Sequence, residues 1–105
     1  MSKSQTITNP DWLHNPHAGE MLVSEFMEPL KLDAATLATA IEIPLSDLDA
    51  VIEGRRAVNG DLDLRLARYF RMSEGFFLRL QTQYEIIEAK RALNGALDRI
   101  VPRAA

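Results

Sequence analysis

The sequence predicts an all-α fold of five helices, and three observations predict it. Apolar residues recur at three- and four-residue spacings. Cap residues, prolines and glycines punctuate those stretches at short intervals. Nowhere do apolar and polar residues alternate with the two-residue period of a half-buried strand. At 105 residues, 47% hydrophobic and 26% charged, the chain fits one soluble globular domain with a modest core.

Residues 1–16 place Pro10 and Pro16 among Asn, Asp and His without periodicity, which predicts a flexible arm. Trp12 and Leu13 could pin that arm to its own domain. The first helix is expected from about Gly19 to Met27, with Leu22 and Phe26 on one face and Pro29 closing it. Asp33 is a good N-cap for the second helix, whose stripe is Leu37, Ala38 and Ile41 and which ends by Ile43. The third begins near Pro44 or Leu45, buries Leu48, Val51 and Ile52, and stops at Gly54, a residue suited to a left-handed cap. Asn59 caps a fourth helix with Leu62, Leu66, Ala67 and Phe70 inward. Ser73 is expected to cap a longer fifth helix carrying Phe77, Leu80, Tyr84 and Ile87, with Asn94-Gly95 as a candidate break before an apolar tail. This divides the chain into an arm (1–16), a folded unit (17–92) and a tail (93–105).

Several chemistries find no support. There are no cysteines, so neither disulfides nor thiolate metal sites are possible. His14 and His17 lack a second ligand cluster, and a surface or capping role suits them better; no metal or cofactor is expected. Ser46, Asp47 and Asp49 lack the histidine and glycine-framed elbow of a hydrolase, so no enzyme is expected. Glu85 and Glu88 read as solvated helix surface. The polar N-terminus and the absence of an apolar run of about 18 residues predict a cytoplasmic chain without a membrane partner.

The net charge of −3 is unevenly spread. Residues Met1 to Glu53 carry two basic and nine acidic side chains, a net of −7, whereas Gly54 to Arg71 carry five arginines and two aspartates, a net of +3. Phosphate binding requires a local basic patch rather than a basic protein. The second and third helices flank a turn of about three residues, the arrangement of a helix-turn-helix. Such a motif lays one face of its second helix in the major groove while apolar packing holds the other. Leu48, Val51 and Ile52 would hold it; Leu45, Ser46, Asp47 and Asp49 project from its start, with Ala50 one turn on. Arg55 and Arg56 follow Gly54, where the DNA backbone would pass. A helical hairpin with a basic loop is the alternative reading of the same spacing.

Four motifs in order resemble those of the Xre family of helix-turn-helix proteins and, within it, the HigA (VapI-like) antitoxins. H-A-G-E-M-L (His17 to Leu22) is similar to that family's H-P-G-E-x-L, with Ala18 in place of proline. G-R-R-A-V-N-G-D (Gly54 to Asp61), L-R-L-A-R-Y-F (Leu64 to Phe70) and S-E-G-F-F-L-R-L-Q-T-Q-Y-E (Ser73 to Glu85) resemble the rest. The resemblance implies a five-helix, lambda repressor-like fold with a C-terminal helical extension. It further implies a homodimer on a palindromic operator, and a small ribonuclease-type toxin as partner. Leu45, Ser46 and Ala50 inherit base reading from it, and Arg55 and Arg56 inherit phosphate contacts, while Ala34 lacks the polar side chain common at the start of the second helix.

The third helix departs from that pattern by its acidity: Glu42, Asp47, Asp49 and Glu53 occur without a cation between them. An aspartate can accept from the amino group of cytosine, which makes Asp47 a candidate base reader. An unpaired carboxylate beside phosphate is instead repelled. Three outcomes stay open: recognition of cytosine through Asp47, weak binding reinforced by dimer avidity, or a fold kept only for protein binding. For a partner interface the candidates are Phe76, about 100° around the helix from Phe77, and Leu93 and Leu97 of the tail, which is too short to stand as an isolated helix.

Overall fold

The computed structural model describes residues 14–104; Trp12, Leu13 and the arm before them lie outside these residues. Among the described residues the chain forms five α-helices and no strand. Helix α1 (Ala18–Leu22) starts in a reciprocal cap. The His17 ring Nδ1 accepts from the Glu20 N–H at 3.3 Å, and the Glu20 carboxylate accepts from the His17 N–H at 3.1 Å. The expected single helix to Met27 instead opens into a π turn over Val23–Met27, closed by Glu28 N–H donating to the Val23 carbonyl at 2.8 Å. Pro29 offers no N–H and its ring crowds the carbonyl four residues back, so a regular last turn cannot close.

Helix α2 (Ala34–Ile41) begins where Asp33 accepts from the Thr36 N–H at 2.8 Å. That backbone donor, with the Thr36 side chain, holds the Asp33 carboxyl below its ordinary pKa. Glu42, at φ 62°, ends the helix, and Pro44 in extended conformation caps α3 (Leu45–Ile52). Helix α4 (Gly60–Phe70) starts with Asn59 accepting from the Leu62 N–H at 2.9 Å.

The cap of α5 (Phe76–Leu93) corrects the expectation for Ser73. The N-cap residue is Gly75, and the carboxylate that satisfies the helix start comes from α4. Asp63, only 1% exposed, accepts from the N–H groups of Gly75, Phe77 and Leu78 at 2.6, 2.8 and 3.0 Å. Ser73 serves Arg79 instead, its hydroxyl accepting from the guanidinium at 3.0 Å. The helix does stop at Asn94-Gly95, both in the left-handed region, and a 3-10 turn follows over Ala96–Arg99.

Ala18, Leu22, Leu37, Ile41, Leu48, Val51, Leu66 and Phe77 form the core where all five helices meet. The rings of Phe26, Phe70, Phe76 and Phe77 close one end at centroid separations of 5.0–6.2 Å. The folded body also reaches back into the stretch expected to be flexible. Asn15 is buried, and its amide donates to the Tyr84 carbonyl and to the Glu88 carboxylate, each at 3.0 Å. Glu88 therefore ties residue 15 to α5 rather than standing as plain solvated surface.

Candidate nucleic-acid interface

Helix α3 is fixed from below and behind. Leu48 and Val51 are 0% and 3% exposed. Against α1 the approach is backbone to backbone: a Cβ on Gly19 would stand 2.0 Å from the Val51 carbonyl oxygen, so only glycine fits. The turn before α3 is fastened from α4 by Arg65. Its guanidinium donates to the carbonyls of Ile41 at 2.7 Å and Glu42 at 3.2 Å, while its Nε donates to Asp61 at 2.6 Å. Arg65 thus satisfies the carbonyl end of α2, whereas Arg68, the next arginine of α4, is exposed.

What this leaves outward is the first turn of α3. Leu45 and Ser46 are exposed, Asp47, Asp49 and Ala50 are half-buried, and none of them belongs to the core. The helix ends in a Schellman turn, in which Arg55 N–H donates to the Ala50 carbonyl at 2.8 Å and Gly54 N–H to that of Val51 at 3.1 Å. Gly54 has φ +80° and would place a Cβ 2.8 Å from His17 Nε2, so conformation and space both demand glycine. His17 is held in turn edge-on against Tyr84, ring centroids 6.0 Å apart. Beyond the arginines, the buried Gln81 of α5 accepts from the Val58 N–H at 3.2 Å and donates to Glu85 at 2.8 Å. The segment carrying Arg55 and Arg56 is therefore gripped at both ends.

The two arginines are each engaged by a carboxylate. Arg56 Nη1 lies 3.0 Å from Asp47 Oδ1, and Arg55 Nη2 lies 2.6 Å from Glu53 Oε1. A cleft of about 280 Å3 opens beside the first pair, between Ile43, Val51, Asn59 and Leu62. The acidic residues that set this helix apart in the sequence are thus partly spent on its own cations.

The remaining expected residues lie elsewhere. Phe76 is not free surface: its ring stands 5.9 Å from Phe26 and 5.1 Å from Phe77, half-buried in the aromatic cluster. The reason is that α5 starts over the π turn, which carries Phe26 to it. Leu93 and Leu97 are 43% and 49% exposed. His14 and His17 converge on Glu20, and the hydrogen bond from His14 is the main cause that lowers the Glu20 pKa. Among the described residues no cluster of three potential metal ligands occurs, and no helix is long and apolar enough to cross a membrane. Sequence reasoning missed Gly19, Asp63 and Gln81. Only Gly19 left a signal, since glycine inside a helix costs stability and so points to a close approach.

No protein-family model matches the chain. Virulence-associated protein I of Dichelobacter nodosus is 34% identical over 70 residues, which make up 67% of this chain and 65% of that protein. Among solved structures, an addiction module antidote protein of a HigA family from Coxiella burnetii superposes with a TM-score of 0.79 at 30% identity, covering 88% of this chain and 100% of that one. PA4674 of Pseudomonas aeruginosa, solved in complex with its operator DNA, superposes with a TM-score of 0.82 at 29% identity over 88% of this chain and 98% of that one.

Proposed function

Because the chain belongs to the HigA family of helix-turn-helix regulators, we propose that it binds an operator sequence-specifically and represses its own operon as the antitoxin of a toxin–antitoxin pair. Its part is binding, not catalysis. Leu45, Ser46, Asp47 and Ala50 meet base edges in the major groove, and Arg55 and Arg56 anchor on phosphates. Two copies, joined through the apolar tail at Leu93 and Leu97, address the halves of a palindrome. The partner protein is a small ribonuclease-type toxin. One observation carries the reading: α3 turns Leu45 and Ser46 outward while Leu48 and Val51 pin its other side, with two arginines directly behind its C-terminal turn.

Replacing Arg55 and Arg56 together by alanine is expected to weaken binding to every sequence and to flatten its salt dependence by about two counterions at ~0.9 each. A gel-shift titration against the DNA upstream of the protein's own gene, repeated at several salt concentrations, measures both. An unchanged slope would remove the arginines from the interface. A second reading, a module of the same fold that has lost DNA binding and only holds a toxin or another partner, draws on the fact that both arginines already have carboxylate partners. Absence of any shift at low salt would favour it.

A further inference from the structure

Resting on the DNA-binding reading, we infer that the Asp47–Arg56 pair is a specificity device in which moving Arg56 to a phosphate leaves an acidic residue of α3 unpaired unless a matching base takes it up. The geometry sets up an exchange. Asp47 Oδ1 and Arg56 Nη1 are 3.0 Å apart, and their side chains are 45% and 50% exposed, so the pair is open to solvent and to an incoming strand. Asp47 belongs to the first turn of α3, the part offered to bases, whereas Arg56 follows the Schellman turn, on the side offered to phosphate. One ion pair therefore joins the two halves of the interface.

Docking on any duplex asks Arg56 to leave Asp47 for a phosphate. The carboxylate then stands without a partner beside the polyanion, unless the base before it donates a hydrogen bond. Of the major-groove edges, cytosine offers its amino group to a carboxylate, guanine presents only acceptors, and thymine an acceptor and a methyl group. Adenine has an amino group too, but it lies next to the N7 lone pair, which repels a second acceptor. On matching DNA both partners of the pair are satisfied anew, and on other DNA only Arg56 is. The penalty falls on non-specific binding. Glu53 holds Arg55 at 2.6 Å but sits at the C-cap, away from the reading turn, so it lowers affinity without selecting a base.

The test is a double-mutant cycle. Asp47→Asn, Arg56→Ala and the double variant are titrated against the duplex upstream of the protein's own gene and against a scrambled duplex of equal length, over a range of salt. Asp47→Asn is expected to tighten binding to the scrambled duplex by roughly two- to five-fold, the scale of an exposed ion pair, and to steepen the salt slope by up to about 0.9. It should also narrow the ratio between the two duplexes. In the Arg56→Ala background the same change should tighten scrambled binding distinctly less, because only direct repulsion by the carboxylate is left to remove. Equal tightening in both backgrounds would mean that Asp47 merely repels phosphate, and would overturn the inference while leaving DNA binding in place. Unaltered scrambled binding by Asp47→Asn alone would overturn it too. If the parent protein shifts neither duplex at low salt, the DNA-binding reading itself falls.

Discussion

Asp63 illustrates how much a single side chain organises here. It is a charged residue in the first turn of α4, yet it is 1% exposed because three backbone N–H groups at the start of α5 converge on it. Those amides belong to the helix start that has no internal acceptors. Removing the carboxylate strands donors that are shut off from water, at roughly 1–3 kcal/mol for each unsatisfied buried group. Asp63→Ala is therefore expected to cost about 3 kcal/mol, read as a lower midpoint in urea denaturation. Asp63→Asn, which keeps one acceptor oxygen, should recover part of that loss. A midpoint equal to the parent's would show that water can replace the cap.

At the scale of elements, the placement of α3 depends on how closely α1 passes it. Glycine to alanine in a helix ordinarily stabilises by about 0.5–1 kcal/mol. At Gly19 the sign is expected to reverse, because the added methyl group meets the Val51 carbonyl at 2.0 Å, and neither helix backbone can yield locally. Overpacking of this kind costs about 1–3 kcal/mol. Gly19→Ala should lower the denaturation midpoint and, by tilting α3 on its bed, weaken operator binding by more than the lost fraction of folded protein explains. A raised midpoint would mean that the two helices separate freely. The same dependence reaches the basic segment, where His17 at the start of α1 fills the space beside Gly54 and Gln81 of α5 holds Val58. Two separate elements, α1 and α5, thus converge on one loop.

For the whole molecule, the distribution of apolar surface is the informative quantity. The core is concentrated between α1 and the first half of α5, whereas Ile86, Leu93, Leu97, Ile100 and Val101 are 45%, 43%, 49%, 66% and 85% exposed. A short helical tail gains stability from a surface to pack on, and the proposed two-fold partner would supply one. Leu93→Asp combined with Leu97→Asp is expected to give a folded monomer in sedimentation and to lower operator affinity at least ten-fold, as half-sites cease to be bound together. Unaltered sedimentation would remove the tail from any dimer contact.

Much of this was legible along the chain, because helix periodicity and caps are local. Asp33, Asn59, Gly54 and the Asn94-Gly95 stop act within a few residues of themselves, and they fixed the helices nearly as expected. The stretch from Leu45 to Arg56 was readable as a helix and its exit for the same reason. What escaped the sequence joins residues far apart in it. Asp63 reaches 12 to 15 residues forward to cap α5, Arg65 reaches 24 back to the end of α2, and Asn15 meets Tyr84 across 69 positions. Nor could spacing show that Asp47 and Arg56 touch, since a half-turn around Gly54 brings them together. The sequence by itself determined where helices begin and end, because the hydrogen bonds that decide it close within a turn. Only the tertiary structure decided which charges are paired and which helix lends its carboxylate to another, because those bonds exist only after distant segments have packed.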